Sequence, residues 1–183
     1  MVATIALLSL YSTAKAQDNQ TDNHTIGITV PKVALVDIES ATSKNITLNF
    51  ANITEAGEGL TAPTSNSDLW LNYSSILSGE DAAETRRKIS VKLNAAIPGL
   101  DIKVAAATYA GSGKGNQGTA AASAITLTGE DQDLITNIGS CYTGNGVSNG
   151  HNLTYSVLPN DGNYGALVAK TNSVTVTYTI SDN

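Results

Sequence analysis

The chain predicts an all-β fold, an immunoglobulin-like antiparallel β-sandwich of about nine strands. Three observations lead there: apolar residues recur with a period of two, Gly, Asn, Ser and Pro interrupt that period every dozen residues or so, and helix signals are scarce. Apolar faces on one side of most strands call for two sheets packed face to face. A jelly roll or a partly closed barrel shares this pattern and stays open as the alternative.

Before the first strand, Met1 to Ala16 reads as an export signal. Ala3 to Leu10 is an almost unbroken apolar run, too short to span a membrane, and Ala14-Lys15-Ala16 supplies the small residues a signal peptidase needs before Gln17. Its removal leaves 167 residues, the size of one domain, and moves the net charge from −6 to −7. That acidity argues against nucleic acid or an anionic lipid surface as partner. No later segment approaches the roughly 20 apolar residues of a membrane-spanning helix. The expected organisation is therefore a signal peptide at 1–16, an extended segment at 17–31 and a sandwich domain at 32–183, in a secreted or cell-surface protein. Cys141 is the only cysteine, so an internal disulfide is impossible and packing must supply the stability.

The strands follow in order. Thr25 to Val30 places Ile26, Ile28 and Val30 on one face; Pro31 breaks the ladder, and Val33 to Ile38 resumes it. Asn45 to Phe50 groups Ile46, Leu48 and Phe50. Asp68 to Tyr73 groups Leu69, Leu71 and Tyr73, and Lys88 to Leu93 groups Ile89, Val91 and Leu93 with Lys88, Ser90 and Lys92 outward. Asp101 to Tyr109 and Ala122 to Thr128 flank a glycine-rich loop at Ala110 to Ala121. Asp131 to Ile138 is ambiguous, because Leu134, Ile135 and Ile138 fit a helical turn as well as an irregular strand. Asn152 to Leu158 alternates, Pro159 to Asn163 turns, and Tyr164 to Ala169 returns. Ser173 to Ile180 closes the domain with Val174, Val176, Tyr178 and Ile180 on one face.

Catalytic and cofactor chemistry finds little support. Gly113 to Gly118 has the glycine spacing of a dinucleotide loop but precedes a strand, not the helix whose N-terminus would hold a pyrophosphate. It fails as a phosphate loop because Gly115 follows Lys114 where a hydroxyl should meet magnesium. His24 and His151 have no second histidine or cysteine at metal-ligand spacing, and no Gly-x-Ser-x-Gly elbow occurs. The carboxylates at Glu55/Glu58, Glu80/Asp81/Glu84 and Glu130/Asp131/Asp133 read as solvated loop charges, although a pair could in principle act on a sugar and the last group could hold calcium weakly. No cofactor or metal is expected, and no enzyme.

Two features point to binding. If Leu69 and Leu71 face the core, Trp70 points outward between Asp68 and Asn72, which makes Trp70 and Tyr73 candidate glycan contacts. The extended apolar ladder Ile26, Gly27, Ile28, Val30 follows a polar leader and is a candidate donor strand for a neighbour's sheet, or else the first strand of its own domain. Asn-x-Ser/Thr tripeptides begin at Asn19, Asn23, Asn45, Asn52, Asn72 and Asn152 and matter only in a glycosylating host.

The terminal Ser173-Val174-Thr175-Val176-Thr177-Tyr178 resembles the closing strand of secreted bacterial pilin-like sandwich subunits of the chaperone-usher and spore-coat-U type. The chain, including Gly139 to Gly144, also resembles uncharacterised exported proteins of Bacteroidetes-type bacteria. The lone Cys141 departs from the disulfide that such pilin-like domains often carry. The resemblance implies a non-enzymatic structural subunit that associates with identical copies through strand contacts, in a filament. A secreted carbohydrate-binding or adhesion module, directed to a glycan or host surface, is the alternative.

Overall fold

A computed structural model describes residues 20–81 and 84–183 and divides the chain into two compact units, Met1–Val30 and Pro31–Asn183. The expected signal peptide lies outside the described residues. In the first unit, residues 20–30 form no strand, and Ile26, Ile28 and Val30 are 72%, 84% and 68% exposed. The expectation of a formed strand at Thr25 to Val30 is thus corrected: its alternation is present but no ladder satisfies its backbone.

The second unit is an antiparallel sandwich of two sheets, not closed into a barrel. Its strands are β1 (Val33–Ser40), β2 (Asn66–Ile76), β3 (Arg87–Leu93), β4 (Leu100–Ala106), β5 (Lys114–Gly115), β6 (Thr119–Ala120), β7 (Ile125–Thr126), β8 (Gln132–Ile138), β9 (Cys141–Tyr142), β10 (His151–Pro159) and β11 (Val176–Asp182). The larger sheet runs β5-β9-β2-β10-β4-β7, with β1 along the opposite edge of β2; the smaller runs β11-β3-β8-β6. Leu69, Leu71, Tyr73, Val104, Leu153 and Tyr155 of the first sheet pack on Ile89, Val91, Leu93, Leu134, Ile135 and Ile138 of the second. Each fully buried aliphatic side chain contributes about 1.5–3 kcal/mol from removal of apolar surface.

The ambiguous segment at Asp131 to Ile138 is a strand. Its register against β3 shifts twice, from Arg87↔Ile138 to Ile89↔Ile135 and then to Ser90↔Asp133, and Asn137 sits at φ 59°. These bulges turn both Leu134 and Ile135 inward, which reproduces helix-like spacing in an extended chain.

Several expected strands are corrected. Ile46, Leu48 and Phe50 are half-buried in alternation with exposed neighbours, yet 45–50 pairs with nothing among the described residues. Tyr164 to Ala169 does not return as a strand; Asp161–Ala166 is a 3-10 turn, and the Tyr164 hydroxyl accepts from Leu60 N at 3.1 Å. Ala122 to Thr128 contracts to the two residues of β7, whereas the glycine-rich loop contains the short β5 and β6. The last strand begins at Val176, with Val174 packed on the core ahead of it, and the one before the glycine-rich loop ends at Ala106. Ser90, expected outward, is buried, with its hydroxyl 3.4 Å from Asp131 Oδ1.

Candidate functional site: a groove between two free strand edges

Each sheet ends in a strand with one unpaired edge on the same side of the sandwich. Among the described residues β1 pairs only with β2, and β11 only with β3. Between them lies an open groove of about 280 Å³, lined by Val36, Asp37 and Ile38 of β1 and by Val176, Thr177 and Tyr178 of β11. The alternation that places Val176, Tyr178 and Ile180 on one half-buried face also places Val36 and Ile38 toward the core. The groove therefore offers an apolar floor flanked by backbone donors and acceptors, the combination that invites another strand. At its floor the Tyr178 and Tyr155 hydroxyls hydrogen-bond to each other, and burial pushes the Tyr155 phenol up to about 12.

One end of the groove is closed by a charge cluster. Arg87 lies in phase with Ile89, Val91 and Leu93, so its side chain enters the sandwich and is fully buried. Its Nε donates to Asp182 Oδ1 at 2.8 Å; Nη1 donates to the Val33 carbonyl, to Ser75 Oγ at 3.0 Å and to the Ile76 carbonyl at 3.2 Å; Nη2 donates to Glu84 Oε1. Lys32 Nζ reaches Glu84 Oε2 and, at 3.4 Å, Asp182 Oδ2. Arg87 thus clamps the first residue of β1 to the end of β11, and two cations balance two anions. Hydrogen bonds from Arg87 and then Lys32 hold the Asp182 carboxyl below the ordinary carboxylate range. Glu84, expected to be a solvated loop charge, is buried as the counter-ion of Arg87, because an isolated guanidinium in this interior would be prohibitively costly. The other charge groups keep their solvated character: Lys88 meets Asp133 at 3.0 Å and Lys92 meets Asp131 at 3.0 Å on the surface.

The candidate glycan contacts separate. Trp70 stands half-buried on the outer face of the larger sheet, as expected from Leu69 and Leu71 facing in. Tyr73 does not join it; it is 3% exposed, in the core, and its removal from the surface follows from sharing the phase of the leucines. Its hydroxyl reaches His151 Nε2 at 2.9 Å and the Gln117 carbonyl, while His151 Nδ1 donates to the Ala107 carbonyl at 2.8 Å. The two rings stack at 5.8 Å, with Tyr109 edge-on to the imidazole at 6.0 Å. His151 is fully buried, and desolvation lowers its pKa. This pair ties two glycine-rich loops to the sheet. Asn72 is also buried, its amide nitrogen donating to Asn149 O at 2.7 Å, so the tripeptide beginning there is not accessible.

Sequence reasoning missed the Arg87 clamp, although its phase with three apolar residues marks it. Comparison with family models, with curated proteins and with solved structures finds no match. The class that fold and site define is an antiparallel β-sandwich with a strand-sized groove left open along one side.

Proposed function

We propose that this protein is a non-enzymatic, exported structural subunit that assembles by strand addition: Ile26, Ile28 and Val30 of one copy enter the groove between β1 and β11 of the next. One observation carries the reading. The chain combines an exposed, unpaired apolar ladder of period two with a groove bordered by two free strand edges. Three donor side chains match the three half-buried residues Val176, Tyr178 and Ile180 in number and spacing. Main-chain hydrogen bonds would supply affinity and the apolar side chains register. Burying each of the three contributes about 1.5–3 kcal/mol before the cost of ordering the segment. Because ladder and groove are different surfaces, the contact is head-to-tail, the class that grows as an open filament when its rotation does not close into a ring.

Electron microscopy and size-exclusion chromatography of residues 17–183 test the reading. Elongated oligomers are expected, reduced to monomers by Ile28→Asp; monomers at every concentration would overturn it.

A further inference from the structure

The outer face of the larger sheet carries a second arrangement. The register places Leu35, Ser74, Tyr142 and Lys114 in one row across β1, β2, β9 and β5, because Leu35 pairs with Ser74, Ser74 with Tyr142 and Tyr142 with Lys114. A parallel row sets Asp37 beside Asn72, and a third sets Trp70 between Glu39 and Asn152. Trp70, Asn72, Ser74 and Tyr142 therefore share one face. Tyr142 is 50% exposed and Leu35 65% exposed. Between the two aromatic rows lies a cleft of about 170 Å³ lined by Leu35, Val36, Asp37, Asn72, Tyr73, Ser74, Gly144 and Asn145. The loop carrying Gly144 and Asn145 roofs it, anchored by the hydrogen bond from the Asn72 amide to Asn149 O.

We propose that this face binds a neutral oligosaccharide, with Trp70 and Tyr142 as stacking platforms on either side of a central cleft of mixed polarity. The four residue steps from Trp70 to Ser74 cover about 14 Å of extended strand, a separation that a trisaccharide bridges. An aromatic ring offers a flat apolar surface to the C–H face of a pyranose. The cleft then supplies partners for hydroxyls, which both donate and accept. Asn72 and Asn145 are carboxamides, Ser74 is a hydroxyl, and Asn72 Oδ1 is buried without a hydrogen-bond partner. An unmatched buried acceptor of this kind is costly and is relieved by a donor. Charge favours the neutral class: within the cleft Asp37 is held in an ion pair with Lys44 at 2.8 Å. The protein as a whole is acidic, with net charge −6, and repels a uronate or sialyl group.

Calorimetric titration of the full chain with cellotriose, maltotriose and chitotriose tests the proposal, with sialyllactose as the acidic probe. At least one neutral trisaccharide is expected to bind. Trp70→Ala and Tyr142→Ala should each weaken it at least tenfold, and Tyr142→Phe, which keeps the ring, should not. Tyr142 is the decisive position because its exposure lets it change without disturbing the core. No binding of any neutral trisaccharide at about 10 mM would overturn the proposal. Binding confined to sialyllactose, or unchanged affinity in Tyr142→Ala, would overturn it as well.

Discussion

Arg87 Nε donates to Asp182 Oδ1 at 2.8 Å, joining the first residue of β3 to its register partner on β11 at the groove's closed end. Around that bond the guanidinium is satisfied in every direction, so the clamp is sensitive to loss of either sign of charge.

Arg87→Ala leaves Glu84 buried without its guanidinium partner and is expected to cost about 3–5 kcal/mol in urea unfolding. The double variant Arg87→Met with Glu84→Met replaces the pair by apolar volume and should recover most of that loss. A double variant no more stable than Arg87→Ala would mean that the hydrogen bonds to Val33, Ser75 and Ile76 carry the clamp instead.

Acid acts on the same place. The Asp182 carboxyl titrates below 3.8 in the folded chain, so the unfolded chain takes up the proton first. The stability it contributes is complete above the unfolded value and is lost as the pH falls below about 3.8 through the folded one. Asp182→Asn should flatten the urea midpoint against pH over that range and leave its slope at neutral pH unchanged.

His151 gives a second, higher window. Burial lowers its pKa from 6.5, so protons again bind the unfolded chain preferentially, and stability is full above 6.5 and declines as the pH drops below it. With neutral imidazole, Nδ1–H serves the Ala107 carbonyl, and the single Tyr73 proton is shared between His151 Nε2 and the Gln117 carbonyl. His151→Phe should remove the pH dependence that sets in below about 6.5, read from chemical denaturation at fixed temperatures.

Two glycines separate backbone strain from collision. Gly146 and Gly150 both hold left-handed backbone, at φ 88° and 83°, but an added Cβ at Gly146 meets nothing whereas at Gly150 it comes within 2.0 Å of the Leu71 carbonyl oxygen. Gly146→Ala is expected to cost about 1 kcal/mol. Gly150→Ala should cost about 3 kcal/mol or more, since the loop must leave the sheet to accept it.

Cys141 is buried and its thiol is pushed up to about 11 by desolvation. Two pH units above the ordinary 9.0 leave roughly a hundredfold less thiolate at pH 8, so a thiol reagent should label the native protein at least that much more slowly than the urea-unfolded chain.

The sheets were legible where burial alternates because strands pair. Leu69, Leu71 and Tyr73, the Ile89 to Leu93 ladder, Leu153, Tyr155 and Val157, and Val176, Tyr178 and Ile180 all face inward as their period predicts. Alternation reports a buried face and not a hydrogen-bonded neighbour, which is why Ile46, Leu48 and Phe50 show the period without the strand. Bulges hid β8, and Gly162 and Gly165 allowed a tight 3-10 turn where Tyr164 to Ala169 suggested extension. Of the two proposed surfaces, Val176, Tyr178 and Ile180 on one and Trp70 on the other were visible. Tyr142 was not, because only the pairing of β9 with β2 brings it to the same face as Trp70.

β1 turns alternate residues to opposite sides, with Val36 and Ile38 toward the groove and Leu35 and Asp37 toward the outer face. A guest strand seated in the groove would leave Leu35 and the outer row uncovered while bordering the cleft at Val36 and Asp37, which line both. Every subunit added would contribute one more weak recognition face on a shared scaffold, and attachment strength would climb with chain length through multivalent avidity while each individual contact stayed readily reversible.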